Sequence, residues 1–126
     1  MKLLVLATAA VLAANGIANA QDLAAGEQSF RKCLPCHSVG EDAKHKIGPL
    51  LNGLDGRKSG TIEGYNYSEA NKKAEIVWGE ASFKDYIVNP MAKVPGTKMA
   101  FAGIKNETEI ANLWAYLKQF KADGKK

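Results

Sequence analysis

Cysteine is scarce in this chain. It occurs twice, at Cys33 and Cys36, and nowhere else. That excludes a disulfide-stapled scaffold, and a bridge across a two-residue gap would close too small a loop to add much stability. Long apolar runs are also scarce. The one present, LLVLATAAVLAA from Leu3 to Ala14, is shorter than the ~20 residues a membrane span needs. With Lys2 before it and Ala18-Asn19-Ala20 after it, the run has the pattern of a cleaved secretory signal peptide. The expected organisation is a leader at 1–20 and one domain at 21–126, too short for two. Strong charge is lacking as well. Seventeen Lys and Arg face 13 Asp and Glu, a net charge of +4, or +3 without Lys2. The lysines form no single basic run, which argues against nucleic acid and leaves a mild preference for acidic partners. There are no repeats, no alternating strand pattern and no Asn-Gly hairpin signal.

What remains is helical. A first helix is expected from near Asp22 into Cys33, with Leu23, Gly26 and Phe30 on one face. Ser68 is placed to cap a short helix. EASFKDYIVN, from Glu80, reads as a helix with Phe83, Tyr86 and Ile87 on one face and Pro90 ending it. The last helix is the clearest. Asn106 is its cap, Glu109 stands at the capping-box position, and Ile110, Leu113, Trp114 and Leu117 form its apolar stripe, widened by Tyr116 and Phe120. The terminal ADGKK is expected to fray. Between Ser38 and about Tyr67 runs an irregular stretch containing Gly40, Gly48, Gly53, Gly56, Gly60 and Gly64. A loop this long in a small domain implies that it wraps something.

Cys33-Leu34-Pro35-Cys36-His37 has the spacing for covalent attachment of a c-type haem. Two thiols about one helical turn apart can reach two vinyl groups on a porphyrin edge. The histidine after the second thiol can then bind iron, and a buried planar haem completes a core short of apolar side chains. A zinc site needs four ligands, and only His45 is an obvious further candidate. A thioredoxin-like dithiol belongs in a βαβ setting, although the Pro-Cys-His ending resembles some disulfide exchangers. For a sixth iron ligand the candidates are Met91, Met99, His45 and the lysines. Met99 is favoured, because Pro90 and the Pro95-Gly96 turn pin its loop. Met91 is read as packing, and His45 as a loop-pinning donor to a carbonyl.

Taken in order, CLPCHSVG, KHKIGPLLNGL, GRKSG, GYNYSEANK, NPMAKVPGTKMAFAGI and ANLWAYLKQ resemble the class I cytochromes c, in particular mitochondrial cytochrome c and the short bacterial cytochromes c2. The resemblance covers nearly all of the chain after the leader. It implies an all-α fold with crossed first and last helices and Gly-rich loops wrapping one covalent haem. Gly26 and Phe30 would pack on Leu113 and Tyr116 at the crossing. It further implies thioethers at Cys33 and Cys36, with His37 as proximal ligand held by the Pro49 carbonyl and Met99 as distal ligand. Tyr86, Asn71 and Thr97 would form a hydrogen-bond set around Met99. Arg57, Tyr67, Ser68 and Trp78 would serve the haem propionates. Two departures stand out: one residue fewer between Phe30 and Cys33 than in mitochondrial relatives, and Met91-Ala92 where those carry lysines.

The implied function is that of a periplasmic one-electron carrier, not an enzyme. With both axial positions filled, iron has no site for a substrate, and a thioether ligand raises the potential. A haem enzyme or gas sensor requires Met99 to dissociate; a thiol–disulfide oxidoreductase requires free thiols. The implied donor is a quinol–cytochrome c oxidoreductase, and the acceptor an oxidase, a photosynthetic reaction centre or a denitrification enzyme. Lys32, Lys46, Lys98 and Lys105 would rim the haem edge, extended by Lys44, Lys58 and Lys93. Glu69, Glu75, Glu80, Glu107 and Glu109 are expected away from it.

Overall fold

The computed structural model describes residues 22–126, so the expected leader lies outside the described residues. Five helices follow in order: α1 (Leu23–Phe30), α2 (Glu69–Lys73), α3 (Glu80–Ile87), α4 (Pro90–Lys93) and α5 (Glu107–Leu117). Among the described residues the only β pairing is an isolated bridge between Lys58 and Val77. No helix there is long and apolar enough to cross a membrane.

Local chemistry sets the helix ends. Asp22, Ser68, Asn89 and Asn106 each accept a hydrogen bond from a backbone N–H of the first turn, at Ala25, Asn71, Ala92 and Glu109 respectively. These side chains satisfy donors that a helix start leaves unpaired. Pro90 plays a different part from the one expected. It opens α4 at a position where its missing N–H is no loss, while α3 has already ended at Ile87. Helix α1 also stops earlier than its pattern suggests, at Phe30. The N–H groups of Lys32 and Cys33 then bond three residues back, to Ser29 and Phe30, and those of Cys36 and His37 both reach the Cys33 carbonyl. The chain thus tightens into turns that carry both thiols.

Helices α1 and α5 cross at Gly26. A Cβ there would overlap the Asn112 carbonyl and press on Tyr116, so only glycine permits this approach. Phe30 stacks on Tyr116 at 5.6 Å between ring centroids. Leu23, expected on the same face, is 44 % exposed because it precedes the crossing. Leu113 and Leu117, at 0 % and 1 % exposure, sit in the centre of the core, with Phe83 stacked on Trp114 beside them.

The C-terminal tail does not fray. The Lys121 N–H donates to the Lys125 carbonyl and the Gly124 N–H to the Lys121 carbonyl. Gly124 is buried against the Gly40 carbonyl, Ala122 lies on Gly53, and the Lys126 ammonium sits over the Phe120 ring. A polar composition at a chain end misleads here because the contact is backbone on backbone.

Candidate functional site

The irregular stretch after Ser38 encloses a mainly apolar cavity of about 240 Å³ together with α3, α5 and the 97–101 segment. Both cysteines, unbridged, line it, as do His37 and Met99. Arg57, Tyr67, Ser68, Asn71, Trp78, Tyr86 and Thr97, which the sequence assigns to the pocket, line it too. Met91, half exposed, and His45 do not reach it.

His37 is buried, and its Nδ1 lies 2.6 Å from the Pro49 carbonyl oxygen. A carbonyl can only accept, so Nδ1 carries the proton and Nε2 is left as the free donor atom. Burial pulls the His37 pKa down, keeping the ring neutral, although the Pro49 bond opposes this. Gly48 makes that approach possible, since a Cβ would collide with the imidazole. Burial pushes the Cys33 thiol up to about 11 against the pull of Lys32.

Met99 is fixed from both sides of its own residue. Its N–H donates to Thr97 Oγ1 at 3.2 Å, and the Tyr86 hydroxyl donates to its sulfur at 3.3 Å. Burial raises the Tyr86 pKa, and hydrogen bonds with Thr97 and Asn71 partly offset it. Asn71 is itself held by Ser68, whose hydroxyl donates to Oδ1. Trp78 packs edge-on against Tyr86 at 4.9 Å. The Arg57 guanidinium donates to the Leu50 carbonyl, while burial lowers its pKa. Tyr67 accepts from the Ile62 N–H.

His45 does what the sequence suggests: Nε2–H donates to the Glu63 carbonyl at 2.8 Å and Nδ1 accepts from the Leu50 N–H at 3.1 Å. It therefore pins the two limbs of the long loop. The sequence reading did not single out Ser59 or Tyr65 as lining residues, nor Asn52. Ser59 is 3 % exposed and accepts from the Ile76 N–H. Ser59 and Tyr65 stand inside the quoted motifs GRKSG and GYNY, which were the available signal.

The four rim lysines are exposed, but each ammonium has an internal partner. Lys32 pairs with Glu109, Lys46 donates to the Leu34 carbonyl, Lys98 to Asn66 and Lys105 to Val88. Lys32 and Lys98 also line the cavity. Glu109 is a correction on two counts. It does not close a capping box, and it does not lie away from the lysine rim, since it pairs with Lys32. Its carboxylate turns across the helix crossing to accept from Ser29 and Lys32. The two donors pull its pKa below the usual carboxylate range.

Two thiols, an imidazole with a free nitrogen and a phenol-anchored thioether around one apolar cavity form a donor set that fits haem c. The comparisons agree with that chemistry. A family model described as cytochrome c matches residues 23–121. A cytochrome c2 of Rhodoplanes tepidamans is 66% identical over 84% of this chain and 99% of its own length. A cytochrome c-550 of Bradyrhizobium diazoefficiens is 67% identical over 81% of this chain and 75% of its own. Among solved structures, cytochrome cH from Methylobacterium extorquens superposes with a TM-score of 0.73 at 41% identity, covering 78% of this chain and 98% of that one. With the motif order, the helix crossing and the cavity chemistry all in accord, the chain belongs to the cytochrome c family as a class I c-type cytochrome, a haem protein of electron transport.

Proposed function

We propose that this protein is an exported one-electron carrier, and not an enzyme. It would hold one haem c through thioethers at Cys33 and Cys36, with His37 and Met99 as the axial ligands. The observation that carries the reading is that those four side chains line a single apolar cavity, while the rival ligands Met91 and His45 do not. Bound there, haem c supplies an iron that accepts and releases one electron.

The chain's own residues make that exchange fast and reversible. The Pro49 carbonyl fixes the His37 ring and increases its donor strength. The Tyr86 hydroxyl holds the Met99 sulfur in place. The apolar lining excludes water, so little has to reorganise when the charge changes. Arg57 offers a partly buried positive charge for propionates, with Tyr67, Ser68 and Trp78 nearby. The leader pattern at 1–20 supports a periplasmic location. The basic rim of Lys32, Lys46, Lys98 and Lys105 suits acidic docking surfaces. Such surfaces belong to a quinol–cytochrome c oxidoreductase as donor and an oxidase or photosynthetic reaction centre as acceptor.

Acid–acetone treatment of the purified protein should leave the colour on the chain, with the intact mass raised by one haem. Met99→Ala should abolish the sulfur–iron charge-transfer band and lower the potential, whereas Met91→Ala should leave both unchanged. Extractable haem, or the reverse pattern for the two methionines, would overturn the reading.

A further inference from the structure

The segments 36–40 and 48–53 run side by side as a short ladder that is neither helix nor strand. Gly48 N–H donates to the Cys36 carbonyl at 2.8 Å, and Leu51 N–H to that of Ser38 at 3.0 Å. Between these rungs lies the contact of His37 Nδ1–H with the Pro49 carbonyl. The ladder ends at Asn52, which is 7 % exposed and pairs with Gly40 in both directions. Its Nδ2 donates to the Gly40 carbonyl at 2.8 Å and its Oδ1 accepts the Gly40 N–H at 2.9 Å. Asn52 thus replaces a backbone partner on both sides of one residue.

The far end of the ladder is closed by the C-terminal tail. Gly53 N–H donates to the Phe120 carbonyl at 2.8 Å. Gly124 lies on the Gly40 carbonyl that Asn52 also engages, and Ala122 lies on Gly53. Helix α5 is buried from Leu113 to Leu117, so residues hung from its end form a stop anchored in the core. A stop at Gly40 and Gly53 opposes sliding of the two segments, and the His37–Pro49 rung lies just beyond the Leu51–Ser38 rung from that stop.

We infer that Asn52 and the tail at Ala122–Gly124 are positioning elements for the iron ligand, setting the strength of the Pro49–His37 hydrogen bond. This rests on the reading of His37 as proximal ligand. A firm Nδ1–H bond makes an imidazole a stronger donor and stabilises the oxidised metal. Loosening the clamp therefore raises the potential. It also exposes the ring proton to solvent.

The test uses the haem-loaded protein in four forms: unaltered, Asn52→Ala, a chain ending at Lys121, and Ile110→Val. The last weakens the core without touching the ladder. Exchange of the His37 Nδ1 proton with solvent is followed by NMR, and the reduction potential by titration. Asn52→Ala and the shortened chain should each speed the exchange roughly tenfold, the scale of losing ordinary hydrogen bonds. Both should raise the potential, while Ile110→Val moves neither. The shortened chain alters no ladder side chain, so it carries the test if Asn52→Ala does not assemble. If both ladder variants behave like Ile110→Val, the clamp is structural only and the inference fails. Failure of the ligand assignment itself would appear already in the unaltered protein, as a spectrum without histidine ligation.

Discussion

Two regions of this molecule are held by different forces. At the α1–α5 crossing, side chains fill space: Phe30, Leu113, Tyr116 and Phe120 bury apolar surface around a single glycine contact. In the loops from Ser38 to Tyr67, single side chains hold backbone. Asn52 grips Gly40, His45 joins Leu50 to Glu63, Tyr65 donates to Ile47, and Arg57 to Leu50. The first region is stabilised by packing within the chain. The second surrounds a cavity and is organised for a guest. A domain of this size lacks enough apolar surface to fill both.

The sharpest way to break this contrast is to prevent the guest from being held. The loops around the cavity of about 240 Å³ would then lose the apolar surface they pack against. Cys33→Ala/Cys36→Ala should therefore lose its cooperative thermal transition. An unchanged melting curve would mean that the loops stand alone.

The next largest effect belongs to the packed region. Gly26→Ala forces a methyl into the Asn112 carbonyl and should cost about 3 kcal/mol in denaturant unfolding, the upper range for overpacking. Gly79→Ala, at a helix start with nothing near, should cost less than about 1 kcal/mol. Equal losses would show that the crossing can yield.

A smaller effect separates the surfaces of the two regions. Charge reversal at Lys32 or Lys98, which border the cavity, should slow electron transfer to an acidic partner about tenfold at low salt. The spectrum should not change. Reversal at Lys121 or Lys125, on the tail side, should do little. The difference should fade as the Debye length falls from about 30 Å at 0.01 M salt to about 8 Å at physiological salt. Equal effects from both groups would place docking elsewhere.

The smallest effect joins the regions. Hydrogen bonds from Lys32 and Ser29 hold the Glu109 pKa below its ordinary value of 4.5. A depressed carboxylate stabilises the fold above its unfolded pKa, and that contribution is lost as pH falls through the folded value. The pair is part-exposed, so it is worth only about 0.2–1 kcal/mol. Glu109→Gln should lower stability at neutral pH by that amount and flatten the acid limb of the stability–pH profile, the two proteins converging at low pH. An unaltered acid limb would remove Glu109 from the account.

Patterns with a local cause were legible from residues alone. The stripe Ile110, Leu113, Trp114 and Leu117 and the caps Ser68 and Asn106 each follow from spacing or from the chemistry of one side chain, whereas the place of Gly26 at the crossing was implied by the family resemblance. The five residues from Cys33 to His37 announced a cofactor for the same reason, because thiols and imidazole must be close along the chain to meet one edge of a ring. Contacts between distant backbone segments leave no such trace. The burial of Gly124 on Gly40, the end rung at Asn52 and the turn of Glu109 toward Lys32 depend on which surfaces the fold brings together. So does the choice between Met91 and Met99 as the cavity's methionine. The sequence pointed to Met99 from its proline-pinned loop, but only tertiary packing, with Met91 half exposed and Met99 under the Tyr86 hydroxyl, places one sulfur inside and the other in water.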